Sequence, residues 1–235
     1  MDKKLWTDNG HLLMSEKLKF IFIAPQKVFA SLQEKPVWLL PWFIVSLCLA
    51  SVQLGYYGLV DADYLLEQLV VLGSQPGISE NDLRVILRET VNNKMLLGYS
   101  SAFGVFIGLL LTYGLSATYL YFVSKLTERE LAFKYWFSLS AWCGMPAIIS
   151  ALAAWVAILS SGGQINMSAL NPLTLSFLLA EESGRVLEYL DFATLWTLVL
   201  TIMGFKYYTG CSYSKASILV VIPYFVIILV WLLFI

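Results

Sequence analysis

Residues 36–60 contain no Asp, Glu, Lys or Arg, and neither do residues 97–123 or 136–160. A run of about 20 apolar residues, rising 1.5 Å each, is long enough to cross the hydrocarbon core of a bilayer. In lipid a single segment satisfies its own N–H and C=O groups only as a helix. These runs predict three membrane-spanning helices. Two shorter apolar stretches, 190–208 and 215–235, predict two more. The expected fold is an all-α integral membrane bundle of five transmembrane helices over residues 36–235, preceded by a segment, 1–35, of different character. Composition agrees: 59% of residues are hydrophobic, only 13% are charged and the mean hydropathy is +0.73, whereas soluble domains are about a quarter charged. With a net charge of -1 the chain has no basic stripe of the kind that binds nucleic acid.

Orientation follows from Lys and Arg in the connections. Residues 1–35, the connection holding Lys125, Arg129 and Lys134, and the one flanked by Lys206 and Lys215 carry most of the basic side chains. The alternate side holds Arg84, Arg88, Lys94 and Arg185, with most of the acids. The N-terminus is therefore expected in the cytoplasm and the C-terminus outside, in an inner (cytoplasmic) membrane. No cleavable signal peptide is expected, because the first apolar run starts too late.

Within the first segment, Leu18, Ile21, Phe22, Phe29 and Leu32 recur near helical spacing among lysines. That pattern predicts an amphipathic helix in the inner interface, with Lys17, Lys19 and Lys27 on lipid phosphate and a kink or break at Pro25, weighed against an ordinary cytosolic helix packed on the bundle. Residues 61–94 predict two helical pieces joined at Gln75-Pro76-Gly77. The second is capped near Ser79 and lined on one face by Leu83, Ile86, Leu87 and Val91. In residues 161–191 an apolar stretch, 173–180, is too short to span and is expected across the outer mouth. Asn166-Met167-Ser168 matches a glycosylation sequon, which matters only in a eukaryotic host.

Several motifs spread over most of the chain resemble one family. They are Ala24-Pro25-Gln26-Lys27-Val28-Phe29, Lys35-Pro36-Val37-Trp38 with Pro41, Phe133-Lys134, Phe137-Ser138-Leu139 with Pro146, Asp191-Phe192, Leu195-Trp196 with Leu198, Gly204-Phe205, and Ser214-Lys215-Ala216 with Pro223. In this order and spacing they resemble the Yip family of multi-spanning membrane proteins, named for eukaryotic members that bind Ypt/Rab GTPases, and most closely its bacterial branch. The resemblance implies a five-helix bundle with a cytoplasmic N-terminus. The long, polar, Pro-rich N-terminal region usual in eukaryotic members is not expected here, so GTPase binding is not carried over.

Chemistry-bearing residues are sparse. His11 has no clustered His or Cys, and Cys48, Cys143 and Cys211 are scattered. No metal site, disulfide framework or cofactor is expected, nor any catalytic residue. Asp191, with Glu188 one turn earlier, is a candidate proton, ion or partner site, weighed against a helix cap. Lys215 is weighed as a lipid-phosphate contact. Pro146 and Pro223 each free a carbonyl four residues back, those of Trp142 and Leu219. They suggest either bends for packing or a shared cleft lined by Trp142, Cys143 and Tyr224. Gly104, Gly108, Thr112 and Ser116 form a small-residue stripe, expected to pack on a neighbouring helix of the same chain, with a homo-oligomer left open. No charge lies deep in a span, as ion-coupled transporters usually require. The function expected is that of a non-enzymatic scaffold or adaptor for other membrane proteins or for bilayer organisation. The alternative is a small-molecule or lipid transporter or pore.

Overall fold

The computed structural model describes residues 12–74, 78–127, 129–174 and 191–233. Among them regular structure is helical: α1 (Met14–Ile23), α2 (Pro25–Glu34), α3 (Leu39–Leu59), α4 (Ala62–Gly73), α5 (Glu80–Asn92), α6 (Lys94–Ser124), α7 (Phe133–Cys143), α8 (Ala147–Ser160), α9 (Phe192–Thr209) and α10 (Tyr213–Leu233). Three helical runs are long and apolar enough to cross a membrane: Leu39–Leu59, Lys94–Ser124 and Phe133–Ser160. The third is α7 and α8 taken together, interrupted at Gly144-Met145-Pro146. The proline contributes no N–H, and the Trp142 carbonyl accepts instead from Met145 N–H at 3.2 Å. In α10 a shorter apolar stretch covers Tyr213–Val226. On α6, Tyr99, Phe103, Ile107, Leu111 and Leu115 recur every four residues and are all exposed, an apolar face suited to lipid.

The chain divides into two compact units, each described by itself. The first comprises Met1–Val45, Leu109–Ala147 and Phe192–Ile235. Here α1 packs on α2, α2 packs on α7 and α9, and α9 packs on α7 and α10. Pro25 divides α1 from α2, as expected. It disfavours a helical residue before it and stands at the first position of α2, where a missing N–H is harmless. Trp136, fully buried, lies 5.5 Å from the rings of both Phe205 and Tyr208. Gly204 is required by this packing, since a Cβ there would collide with Leu139.

In the N-terminal helices the structure gives the packed arrangement, not the interfacial one. Ile21 of α1 and Phe29 and Leu32 of α2 are fully buried, because α1 packs on α2 and α2 packs on α7 and α9. Lys17, expected on lipid phosphate, is only 4% exposed. Burial, and secondarily Lys35, push its pKa below the ordinary lysine value, while Glu34 acts the other way. Lys19 and Lys27 are exposed, with Lys27 Nζ 4.7 Å above the Phe20 ring.

The second unit comprises Ser46–Gly108 and Ile148–Asp191. Its core gathers Val52, Tyr56, Leu65, Val70, Val91, Ala154 and Ile158. Asp61 caps α4 by accepting from Tyr64 N–H at 2.9 Å, and Ser79 caps α5. Leu83, Leu87 and Val91 face this core as expected, whereas Ile86 is exposed. At 100° per residue Ile86 sits beside that face, not within it. Gly55 lies beneath the Trp155 indole, whose Nε1 donates to Ser51 Oγ at 3.0 Å. The Gly104–Gly108 stripe makes no such approach. A Cβ at either position would meet no atom within 4 Å among the described residues. The expected packing finds no close approach at these two glycines, whereas Ser116, at the other end of the stripe, meets Ser140 of α7 at 3.3 Å.

Two outcomes follow for stability in detergent. Gly204→Ala forces Leu139 aside and should cost about 1–3 kcal/mol, the range for overpacked cores. Gly104→Ala should be neutral or slightly stabilising by helix propensity, and equal melting shifts for the two would refute the packing assignment. For Lys17, the folded pKa lies below the unfolded value of 10.5. Between the two values the unfolded chain binds the extra proton, so stability rises with pH through that window. Lys17→Met should be more stable than the parent below it, and the difference should shrink on titration towards pH 10.5. A parallel pair of melting curves would contradict this.

Candidate functional site

In the first unit α7 grips the chain just before α3. Val37 N–H donates to Ser138 Oγ at 3.1 Å, Ser138 Oγ donates to the Val37 carbonyl at 3.0 Å, and Trp142 Nε1 donates to the same carbonyl at 2.7 Å. Trp38 adds an edge contact to Phe137, ring centroids 5.1 Å apart. Outside the regular part of a helix a backbone amide needs partners of this kind. Trp142 is thereby committed to the Val37 carbonyl, and Cys143 is fully buried.

Further along the same unit, α6, α9 and α10 enclose a cavity of about 290 Å³, lined by Thr112, Leu115, Ser116, Thr201, Pro223 and Tyr224 among others. Its wall is mostly hydrocarbon, and several hydroxyls at its edge are already engaged. Thr201 Oγ1 donates to the Thr197 carbonyl at 2.7 Å, and Ser140 Oγ reaches Ser116 Oγ at 3.3 Å. Tyr119 donates from its phenol to the Leu219 carbonyl at 2.5 Å, the group that Pro223 leaves without an intrahelical donor. Of the cleft expected between the two prolines, Pro223 and Tyr224 line this cavity, while Trp142, Cys143 and Pro146 do not.

Lys215 stands in the first turn of α10, whose N-terminus is capped by Ser212 Oγ accepting from Lys215 N–H at 3.3 Å. Its Nζ donates to the Leu126 carbonyl at 3.1 Å, in the connection after α6. In the second unit Asp191 is 9% exposed. Its carboxylate accepts from Ser150 Oγ and from Asn171 Nδ2, both at 3.3 Å, and its backbone pairs with Thr174. Glu188, expected beside it, lies outside the described residues, as do His11 and most of the apolar stretch 173–180. Among the described residues no group of three or more His, Cys, Asp and Glu could hold a metal.

Sequence reasoning passed over the hydrogen bonding of Val37 and Ser138, both motif residues, and over Tyr119, Ser150 and Asn171 altogether. Only Tyr119 left a trace: a carbonyl freed by a buried proline demands a donor, and a tyrosine on a neighbouring span can supply one.

The model of the Yip1 domain matches residues 19–235. The chain belongs to this family. No curated protein and no solved structure matches it. The match begins within α1, so in this Yip1-domain protein the docked helices α1 and α2 are largely part of the domain. The motif residues meet in the first unit: Val37 with Ser138, Trp38 with Phe137, and Leu139 with Gly204, while Phe205 packs on Trp136 beside them. It is a membrane protein of the Yip1 family.

A double-mutant cycle tests the proline–tyrosine link. Tyr119→Phe leaves the Leu219 carbonyl without its donor and should cost about 0.5–2 kcal/mol. With Pro223→Ala present the backbone can supply that donor, so the cost should fall towards zero. Equal costs in both backgrounds would show the hydrogen bond to be energetically idle.

Proposed function

We propose that this protein is a non-enzymatic adaptor or scaffold in the inner membrane, with five spans, a cytoplasmic N-terminus and an external C-terminus. Its partners would be other membrane proteins, met through the exposed side of α1 and α2. One observation carries this. The α1–α2 pair packs through Ile21, Val28, Phe29 and Leu32 and leaves Lys19, Lys27 and Lys35 exposed. A basic surface on helices docked by a buried apolar face is preorganised for a partner, and little ordering entropy opposes binding. Spans free of deep charge weigh against ion-coupled transport. Among the described residues the buried charged side chains are Lys17 and Asp191, both outside the three long apolar helices. The cavity beside Pro223 is the observation that favours the alternative, a small-molecule or lipid transporter or pore.

Topology is tested in a chain with Cys48, Cys143 and Cys211 replaced by Ser. Asn81→Cys and Asn166→Cys should react with an impermeant thiol reagent applied outside intact cells, and Glu130→Cys should not; the opposite pattern inverts the orientation. For the adaptor surface, Lys19→Glu, Lys27→Glu and Lys35→Glu together should leave the melting temperature within a few degrees of the parent. They should also remove the membrane proteins recovered with it after crosslinking in cells. An unchanged crosslinked set would exclude α1–α2 as the partner surface. Loss of solute flux into vesicles on filling the cavity with Leu115→Trp, with the lysine reversals silent, would favour the transporter.

A further inference from the structure

Two connections distant in sequence close on one another at one end of the seam between α6 and α10. Lys215 Nζ bonds the Leu126 carbonyl. The Arg129 guanidinium lies against Gly210, 3.9 Å from where a Cβ would stand, and Gly210 holds φ at 73° to turn the chain out of α9. In sequence, residues 125–132 and 206–215 carry four basic side chains, Lys125, Arg129, Lys206 and Lys215, against two acids, Glu128 and Glu130. Lys125 and Lys206 fold over neighbouring rings, 4.8 Å above Tyr121 and 4.5 Å above Tyr213. Arg129 and Lys215 are exposed. The result is a net positive charge at the end of the seam.

The cavity lies further along the same two helices. Pro223 follows Lys215 by eight residues, roughly 12 Å of helix, while half a hydrocarbon core is about 15 Å deep. A phosphate at Arg129 and Lys215 would therefore place acyl carbons level with the cavity. Leu115, on the cavity wall, is 74% exposed, so the cavity opens towards lipid. With the Ser116, Tyr119 and Thr201 hydroxyls engaged by protein, the wall suits a hydrocarbon chain better than a polar solute.

We propose that the α6–α10 seam is a binding site for one anionic phospholipid, its phosphate held by Arg129 and Lys215 and one acyl chain seated in the cavity beside Pro223. Charge complementarity at one end and an apolar recess at matching depth commit the site to that occupant. A zwitterionic lipid would lose the charge term, and a free phosphate would leave the cavity unused.

The full chain, purified in mild detergent, is exposed to phosphatidylglycerol, phosphatidylcholine or glycerol phosphate, and retained ligand is read by native mass spectrometry. Phosphatidylglycerol should be retained preferentially. Arg129→Glu with Lys215→Glu should lower its retention about thirtyfold, from two reversed charges each acting as a juxtamembrane basic residue does, and leave phosphatidylcholine unchanged. Leu115→Trp should also lower phosphatidylglycerol retention, and glycerol phosphate should not compete. Should the variants fail to fold, phosphatidylglycerol with a photoreactive acyl chain is crosslinked to the unaltered protein. Adducts should concentrate in residues 112–120 and 219–224. Equal retention of the two lipids, full competition by glycerol phosphate, or adducts spread evenly along the exposed face of α6 would each overturn the site.

Discussion

A backbone carbonyl without a helical partner needs a donor from elsewhere in the fold, and the treatment of two such carbonyls organises the first unit. At Val37 the chain has not yet entered α3, so its peptide groups lack helical partners; Ser138 and Trp142 of α7 supply them. At Leu219 the deficit is created by Pro223 and met by Tyr119. Each bond ties one helix to the backbone of another, where side-chain substitution cannot remove the acceptor. Once α7 holds the start of α3, Trp38 reaches Phe137. On the other side of α7, Leu139 fits over Gly204 and Trp136 packs on Phe205.

This accounts for motifs that look unrelated in the sequence. A Val-Trp pair after a proline, a Phe-Ser-Leu triplet a hundred residues later and a Gly-Phe pair further on are parts of one contact set. Family membership, established by a match over residues 19–235, thus has a physical counterpart in the way these residues meet.

Much of the helical content was legible because charge-free length is a direct signal. Residues 36–60 correspond to Leu39–Leu59, and the stretch beginning at 97 corresponds to a helix that starts at Lys94. The discrepancy there is chemical: Lys94 turns its ammonium to the Val60 carbonyl, so a charge that marks a boundary in sequence is accommodated inside the helix. Periodicity was less informative where it defined a face but not its cover. Phe29 and Leu32 form an apolar face of α2, and nothing in their spacing distinguishes lipid from α7 and α9. The four-residue stripe is ambiguous in the same way: no atom comes within 4 Å of a Cβ at Gly104 or Gly108 among the described residues, while Ser116 meets Ser140 of α7. The glycines that do permit close contact, Gly55, Gly144 and Gly204, have no repeat around them and are recognisable only by what lies opposite: Trp155, Tyr113 and Leu139. At the candidate sites, Pro223 and Lys215 could be located but their partners could not, since a hydrogen bond across a hundred residues leaves no local pattern.

The exposed row from Tyr99 to Leu115 on α6 also bears on how the protein is made. A helix whose outward face is aromatic and aliphatic every fourth residue has no stable resting place in the cytosol, and a ribosome releasing it there would yield an aggregating chain. Synthesis must therefore be coupled to a translocation channel that hands this segment sideways into lipid as it emerges.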